Sequence, residues 1–122
     1  MARDVSFDEN DGIVVVRVSG KATLQEHLAA RAESLQLCQE KRCARILVDL
    51  RALNTAGGSA ADYFGFGTSF PETSPPIRLA HVLPADARSR RDVVFAATVE
   101  ANRGRLAAVF DTVEEARDWL LR

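Results

Sequence analysis

Ile46-Leu47-Val48-Asp49-Leu50 is a short, almost wholly apolar run near the middle of the 122-residue chain. A run of this length between turn-forming segments is typical of a buried strand. After it comes a loop rich in turn formers, Asn54 to Ser59, and before it a long segment with helical periodicity. The run therefore predicts a central strand whose two connections lead to helices.

The segment before this strand predicts an amphipathic helix from about Thr23 to about Arg42. Thr23-Leu24-Gln25-Glu26 is a capping box, in which the threonine oxygen accepts from the third backbone amide and the glutamate reaches back. Five residues then recur at intervals of three and four and form the expected core-facing stripe: Leu24, Leu28, Ala32, Leu35 and Cys38.

Further toward the N-terminus, two strand-like segments flank a turn. Val5 to Glu9 alternates apolar and polar residues, Asn10-Asp11-Gly12 can turn the chain, and Ile13 to Val18 is rich in valine. Together they predict an antiparallel hairpin.

The C-terminal half continues with alternating helices and strands. The predicted elements are a helix at Ala60 to Phe70, a strand at Ile77 to Leu83, a helix that starts at Asp86 or Ser89 and stops at Gly104, a strand at Leu106 to Phe110, and a helix opened by a second capping box at Thr112 to Glu115. The complete order is ββαβαβαβα. It predicts an α/β fold: a mixed sheet, parallel in its later strands and covered by four helices.

The C-terminal segment Val109 to Leu120 resembles the C-terminal signature of the SpoIIAA-like family, a branch of the STAS domain fold named after an anti-anti-sigma factor. The strand Ile46 to Leu50 with its following loop and helix is similar to the STAS pattern as well. The resemblance implies one SpoIIAA-like domain over residues 1–122, with a non-catalytic bacterial regulatory or protein-interaction function.

In the classical members of that family, a phosphorylatable serine follows an aspartate at the start of the helix after the central strand. Here the loop reads Asn54-Thr55-Ala56-Gly57-Gly58-Ser59, and no aspartate directly precedes the serine. Ser59 is either a helix cap or a phosphorylation site. The candidate switch loop comprises Asp49, Thr55, Gly57, Gly58 and Ser59.

Half of the eight aromatic residues of the chain fall between positions 63 and 70: Tyr63, Phe64, Phe66 and Phe70. On a helix, residues 63, 66 and 70 share a face and Phe64 points elsewhere. The face either packs on the sheet as ordinary core, or forms a movable lid over an apolar pocket, or meets a membrane or protein partner. The glycines in and before this helix allow the movement that a lid needs.

Catalytic and metal-binding patterns are not found in the sequence. His27 is expected to be a solvated surface residue and His81 a hydrogen-bonded residue within a strand. The spacing of Cys38 and Cys43 fits neither a zinc site nor a secreted disulfide framework, so both are expected to be reduced thiols. We therefore expect no enzyme activity, no cofactor and no metal.

The net charge of −1 and the lack of a basic stripe argue against nucleic acid as a partner. No stretch approaches the ~18 apolar residues of a membrane span, which predicts a cytoplasmic protein, although peripheral membrane contact remains open. Two hypotheses follow, with a monomer or a homodimer compatible with each. One is a module that binds an unknown protein partner, and the other is a carrier of an apolar, lipid-like molecule gated by residues 60–70.

Overall fold

The computed structural model describes residues 2–56 and 58–122. Its elements are β1 (Ala2–Asp8), β2 (Ile13–Ser19), α1 (Leu24–Lys41), β3 (Arg45–Asp49), α2 (Ala60–Thr68), β4 (Arg78–Val82), α3 (Ala87–Asn102), β5 (Leu106–Phe110) and α4 (Val113–Leu120). The order ββαβαβαβα is the one predicted from the sequence. The predicted second helix was two residues too long, because α2 ends before Phe70.

The five strands form one mixed sheet in the order β1-β2-β3-β4-β5. β1 and β2 are antiparallel, as expected of a hairpin, and the other three pairings are parallel. One rung of the sheet runs through Val16, Val48, His81 and Val109. His81 is thus the only polar residue in a row of valines.

The helices divide unequally between the two faces of the sheet. α1, α2 and α3 are the three crossovers between parallel strands, and right-handed crossovers that progress in one direction across a sheet lie on the same side. Buried residues of α1 and α3, together with Phe70 just after α2, share one core cluster with Val14, Val16 and Val18 of β2. α4 lies on the opposite face, where Ala116 and Leu120 are fully buried.

Local signals fix the ends of the elements. Thr23 forms the predicted capping box with Glu26, and Thr112 caps α4 by accepting from the Glu115 amide at 3.1 Å. Asp86, the first of the two candidates, caps α3. Gly104 follows that helix with a φ of +86°, a conformation that glycine adopts without the steric cost of a side chain.

The predicted inward stripe of α1 was wrong in part. Cys38 is buried as predicted and Leu35 packs on the core, but Leu28 is 37% exposed and Ala32 is exposed. The other buried residues of the helix are Ala30 and Ser34. The prediction assumed that only apolar residues face the core, whereas the face that α1 turns toward the sheet also carries polar residues.

Candidate functional site

A cavity of about 70 Å³ lies between the sheet and the three helices α1, α2 and α3. Val16, Val48 and His81 of the valine rung form its floor, and most of its wall is apolar, with Val18, Leu50, Leu53 and Leu79. Parallel strands supply the β-branched side chains, which pack densely on such a surface. The cavity is therefore an apolar space inside the larger of the two cores.

The aromatic segment 60–70 forms the roof of this cavity, and we call it the aromatic lid. Tyr63 and Phe70 are buried, Phe66 is half-buried, and all three line the cavity. Phe64 is 47% exposed. The prediction that residues 63, 66 and 70 share a face and Phe64 points elsewhere is confirmed.

A cluster of charged and polar side chains interrupts the apolar wall. His81 of β4 lies with its Nε2 2.9 Å from Oε1 of Glu100 on α3, which confirms the expectation of a hydrogen-bonded histidine within a strand. The Arg31 guanidinium of α1 lies 3.9 Å from the other oxygen of Glu100. The side chains of His81 and Arg31 are each 8% exposed and that of Glu100 is 2% exposed, so all three are shielded from water.

Arg31 also connects α1 to the aromatic lid. It donates to the backbone carbonyl of Phe66 and, at 3.0 Å, to the hydroxyl of Ser69. Its guanidinium lies over the Phe66 ring at 3.7 Å from the centroid and near the Phe70 ring at 4.9 Å. Burial lowers the pKa of Arg31 to about 10, against the opposing effect of Glu100. The side chain still carries its charge at neutral pH.

The prediction for His27 was wrong. Its ring packs edge-on against Tyr63 at 6.5 Å and Phe66 at 5.8 Å and lines the same cavity. Burial lowers the pKa of His27 below its usual range, so the neutral form is favoured. The sequence prediction failed because the charged neighbour Glu26 was taken as a sign that His27 faces solvent. In the structure His27 shares a helix face with Arg31.

Three buried nitrogen atoms on residues that line the cavity have no hydrogen-bond partner within the part of the chain that the structure describes. They are Nε2 of His27, Nε of Arg31 and Nδ1 of His81. An unsatisfied buried polar atom costs about 1–3 kcal/mol unless water or a ligand pairs with it. Three of them on one small cavity are therefore the strongest indication of a binding site in this fold.

The candidate switch loop does not form a single cluster. Thr55 is buried, and its hydroxyl donates to Asp92 of α3 at 2.6 Å, while its amide donates to the Ser89 hydroxyl. Ser59 is exposed and caps α2 by accepting from the Asp62 amide at 3.1 Å, as its cap interpretation predicted. The loop is thus anchored to α3 by Thr55 and ends at the cap of α2.

The remaining loop candidates divide between the two sides of the molecule. Gly58 packs under the Tyr63 ring, where a Cβ atom would lie 2.7 Å from the phenol oxygen. Gly57 lies outside the described residues. Asp49 instead pairs with Arg51 at 2.8 Å and Arg17 at 3.5 Å. Hydrogen bonds from Arg51 hold the pKa of Asp49 below its ordinary value, against the effect of burial.

The two cysteines do not line the cavity. Cys38 and Cys43 are free thiols, and burial raises the pKa of Cys38 to about 12, which keeps it protonated. Over residues 2–56 and 58–122, no three metal-ligating side chains come together. None of the described helices combines the length and the apolar character required to cross a bilayer.

Two members of the buried cluster were missed by sequence reasoning, namely Arg31 and Glu100. One signal was available on α1, since His27, Arg31 and Ser34 follow one another at intervals of four and three. For Glu100 no such signal was available, because a glutamate is rarely buried unless it is paired, and its partners come from other elements.

Comparison with known proteins adds no identification. No family model matches the sequence, and no curated protein matches it.

Proposed function

We propose that the chain binds a small, largely apolar molecule in the cavity beneath the aromatic lid. The observation that carries the proposal is the combination of an apolar cavity with three lining residues that each have one buried, unpartnered nitrogen atom. Ligand sites in proteins are mostly apolar spaces with a few polar groups that fix orientation. The role is binding or carriage, and we assign no catalytic step to the chain.

Binding requires the lid to move. A cavity of about 150 Å³ is needed to hold benzene, whereas this one measures about 70 Å³. A ligand of more than a few atoms therefore displaces the aromatic lid. Arg31 of α1 makes hydrogen bonds to the aromatic lid, through the Phe66 carbonyl and the Ser69 hydroxyl. Opening has to break these contacts or allow Arg31 to follow the lid.

Native mass spectrometry of the protein purified gently from a bacterial cytoplasm tests the proposal. We expect an additional mass that is lost on denaturation and identified as an apolar or amphipathic metabolite. Phe66→Ser and Phe70→Ser should remove it, since both rings line the cavity. Phe64→Ser is the matched control, because that ring is 47% exposed and should not affect retention.

Circular dichroism of the same variants separates binding from folding. If Phe66→Ser and Phe70→Ser both unfold the protein, the rings are ordinary core and the lid is refuted. A folded protein that carries no additional mass and binds no apolar probe contradicts the proposed function itself.

A STAS-type protein-interaction module is a second candidate. It is supported by Ser59, which is exposed at the start of α2, and by the nearby Phe64, which is exposed on the same helix. The fold also has the helix after its central strand that the SpoIIAA-like resemblance implies. In this case Phe64→Ser and Ser59→Asp should abolish capture of a specific protein partner, and Phe66→Ser should not. The two functions thus predict opposite effects for two neighbouring phenylalanines.

A further inference from the structure

We propose that a second pocket, at the edge of the sheet where β3, β4 and β5 begin, binds a phosphate group that carries two or more negative charges. The pocket has a volume of about 550 Å³, within the range of small-molecule sites. It shares no lining residue with the cavity beneath the aromatic lid. The inference therefore stands or falls independently of the proposed function.

This second pocket, which we call the basic pocket, is lined by five basic side chains. They are Lys41, Arg42, Arg45, Arg78 and Arg122. Among the described residues, no acidic side chain lines the pocket, and none of the five forms an ion pair with a carboxylate side chain. They come from three separate segments, which explains why no basic stripe is visible in the sequence. Such an excess of cations in a concave site attracts anions.

Two of the arginines begin adjacent parallel strands on one rung of the sheet. Arg45 is the register partner of Arg78, and neighbouring strands lie about 4.8 Å apart. Nη1 of Arg45 would lie 3.8 Å from a Cβ atom on Gly12, and Nη1 of Arg78 donates to the main-chain oxygen of Arg122 at 3.2 Å. Both of these neighbours line the basic pocket, so the two guanidinium groups lie at its wall. Arginine pairs with phosphate through two parallel hydrogen bonds, so a phosphate here offsets the repulsion between the two cations.

The segment between α1 and β3 adds two more cations. Nζ of Lys41 lies 5.5 Å from the centroid of the Phe7 ring, which also lines the pocket. Arg42 is the C-cap of α1 and has a φ of +53°. A side chain in this left-handed region is unfavourable, and glycine is the usual residue at such a position. Arg42 therefore costs stability, and a charge directed to an anion gives it a function.

The positive charge exceeds what the local structure neutralises. α1 ends at the basic pocket, and Arg78 donates to the carbonyl of Leu120 at the end of α4. Each helix C-terminus carries about half a negative charge, and a carboxylate on Arg122 would add one, so these groups supply about two negative charges against five positive ones. A phosphate monoester carries about −1.5 to −2 at pH 7. A monoester or a diphosphate thus balances the pocket, whereas one carboxylate does not.

Isothermal titration calorimetry with pyrophosphate, inorganic phosphate and acetate tests the inference on the full chain. At neutral pH and low salt we expect pyrophosphate to bind most tightly, phosphate more weakly and acetate not measurably, in the order of their charge. The pyrophosphate affinity should fall as salt is added, because charges that are open to solvent are screened. Pyrophosphate that binds no better than acetate refutes the site.

Arg45→Gln and Arg78→Gln each remove one arginine of the pair and keep a polar side chain. Each should lower the pyrophosphate affinity by about tenfold or more, as for the loss of a hydrogen bond to a charged group. Arg91→Gln is the matched control, because it removes the same charge from an exposed position on α3 outside the basic pocket. It should change the affinity by less than about twofold. Equal losses in all three variants would show that only the net charge matters and would refute the pocket.

Arg42→Gly separates binding from a purely structural role. It removes one cation from the basic pocket and, at the same time, the side chain from its left-handed position. We expect the melting temperature to rise by roughly 2–6 °C and the pyrophosphate affinity to fall by about fivefold. A rise in melting temperature with unchanged affinity overturns the assignment of Arg42 to the site.

Vesicle co-sedimentation distinguishes the two sources of such a phosphate group. Phosphatidylcholine vesicles that contain phosphatidic acid, a phosphate monoester, are compared with vesicles that contain phosphatidylglycerol, a phosphate diester, at equal surface charge. Binding to the first kind only, lost in Arg45→Gln and displaced by pyrophosphate, identifies a lipid headgroup. Pyrophosphate binding without vesicle binding identifies a soluble phosphate compound. Equal binding to both kinds of vesicle overturns the selectivity for a doubly charged phosphate.

Discussion

Two glycines of α2 provide a matched pair of substitutions that tests how closely the aromatic lid packs against α3. At Gly67 an added Cβ would lie 2.8 Å from the carbonyl oxygen of Ala96 and 2.8 Å from the Cβ of Val99, both on α3. At Gly65 nothing lies within 4 Å of the same atom. The two positions are one half-turn apart on the same helix and differ mainly in what a methyl group would meet.

The expected effects on stability have opposite signs. Gly65→Ala should raise the free energy of unfolding by about 0.5–1 kcal/mol, because alanine loses less backbone entropy in a helix than glycine does. Gly67→Ala has the same gain, but forcing a methyl group into a filled contact costs about 1–3 kcal/mol. Its net effect is a loss of about 0–2.5 kcal/mol, so the two variants should differ by roughly 1–3 kcal/mol.

Urea denaturation followed by far-ultraviolet circular dichroism measures this difference. For a domain of this size, the midpoints of the two variants should lie about 1 M apart. Gly67→Ala should also bind an apolar probe more readily, since it lifts the lid from α3. Equal midpoints would refute the close seating of α2 on α3, and with it the account of how the cavity is closed.

Three further predictions concern the buried polar groups. Glu100→Ala removes the shared partner of Arg31 and His81 and should lower the free energy of unfolding by about 3 kcal/mol or more; a loss below about 1 kcal/mol in thermal denaturation would contradict the buried pairing. Thr55→Val should cost about 1–3 kcal/mol, because it removes the buried hydroxyl that donates to Asp92, and Thr55→Ser should recover most of this in the same assay. The folded state disfavours protonated His27, so the unfolded chain binds the proton first as the pH falls below about 6.5. The free energy of unfolding should therefore fall when the pH is lowered from 7.5 to 5.5. His27→Gln should show a smaller fall, measured by urea denaturation at both pH values.

The element order followed from local signals that act within a few residues. The capping box at Thr23, the strand-like valines of Ile13–Ser19 and the stop at Gly104 act through backbone hydrogen bonds and permitted dihedral angles. Such signals hold whatever the tertiary packing, which explains why the strands, the helices and the hairpin were predicted with only small errors in their bounds.

The helix faces and the polar cluster depend on tertiary packing and could not be read in the same way. Glu100, Arg31 and His81 come from α3, α1 and β4, and only the assembled fold brings them together. Apolar periodicity assigns polar residues to the solvent side, so it rotates a helix wrongly wherever a polar group is buried. The failure on α1 thus coincides with the cavity, the part of the molecule where function is proposed.

Strands adjacent in the sheet are also adjacent in the chain, from β1 to β5. Each strand can therefore be added to the edge made by the one before it, which keeps the chain segment closed by each pairing as short as a helical crossover allows. The second face of the sheet is covered last. Among the described helices α4 alone packs on it, and α4 follows the last strand. Until Ala116 and Leu120 pack on that face, its residues Ile13 and Leu47 stay exposed to solvent. The growing chain therefore presents an apolar surface on the side away from the cavity.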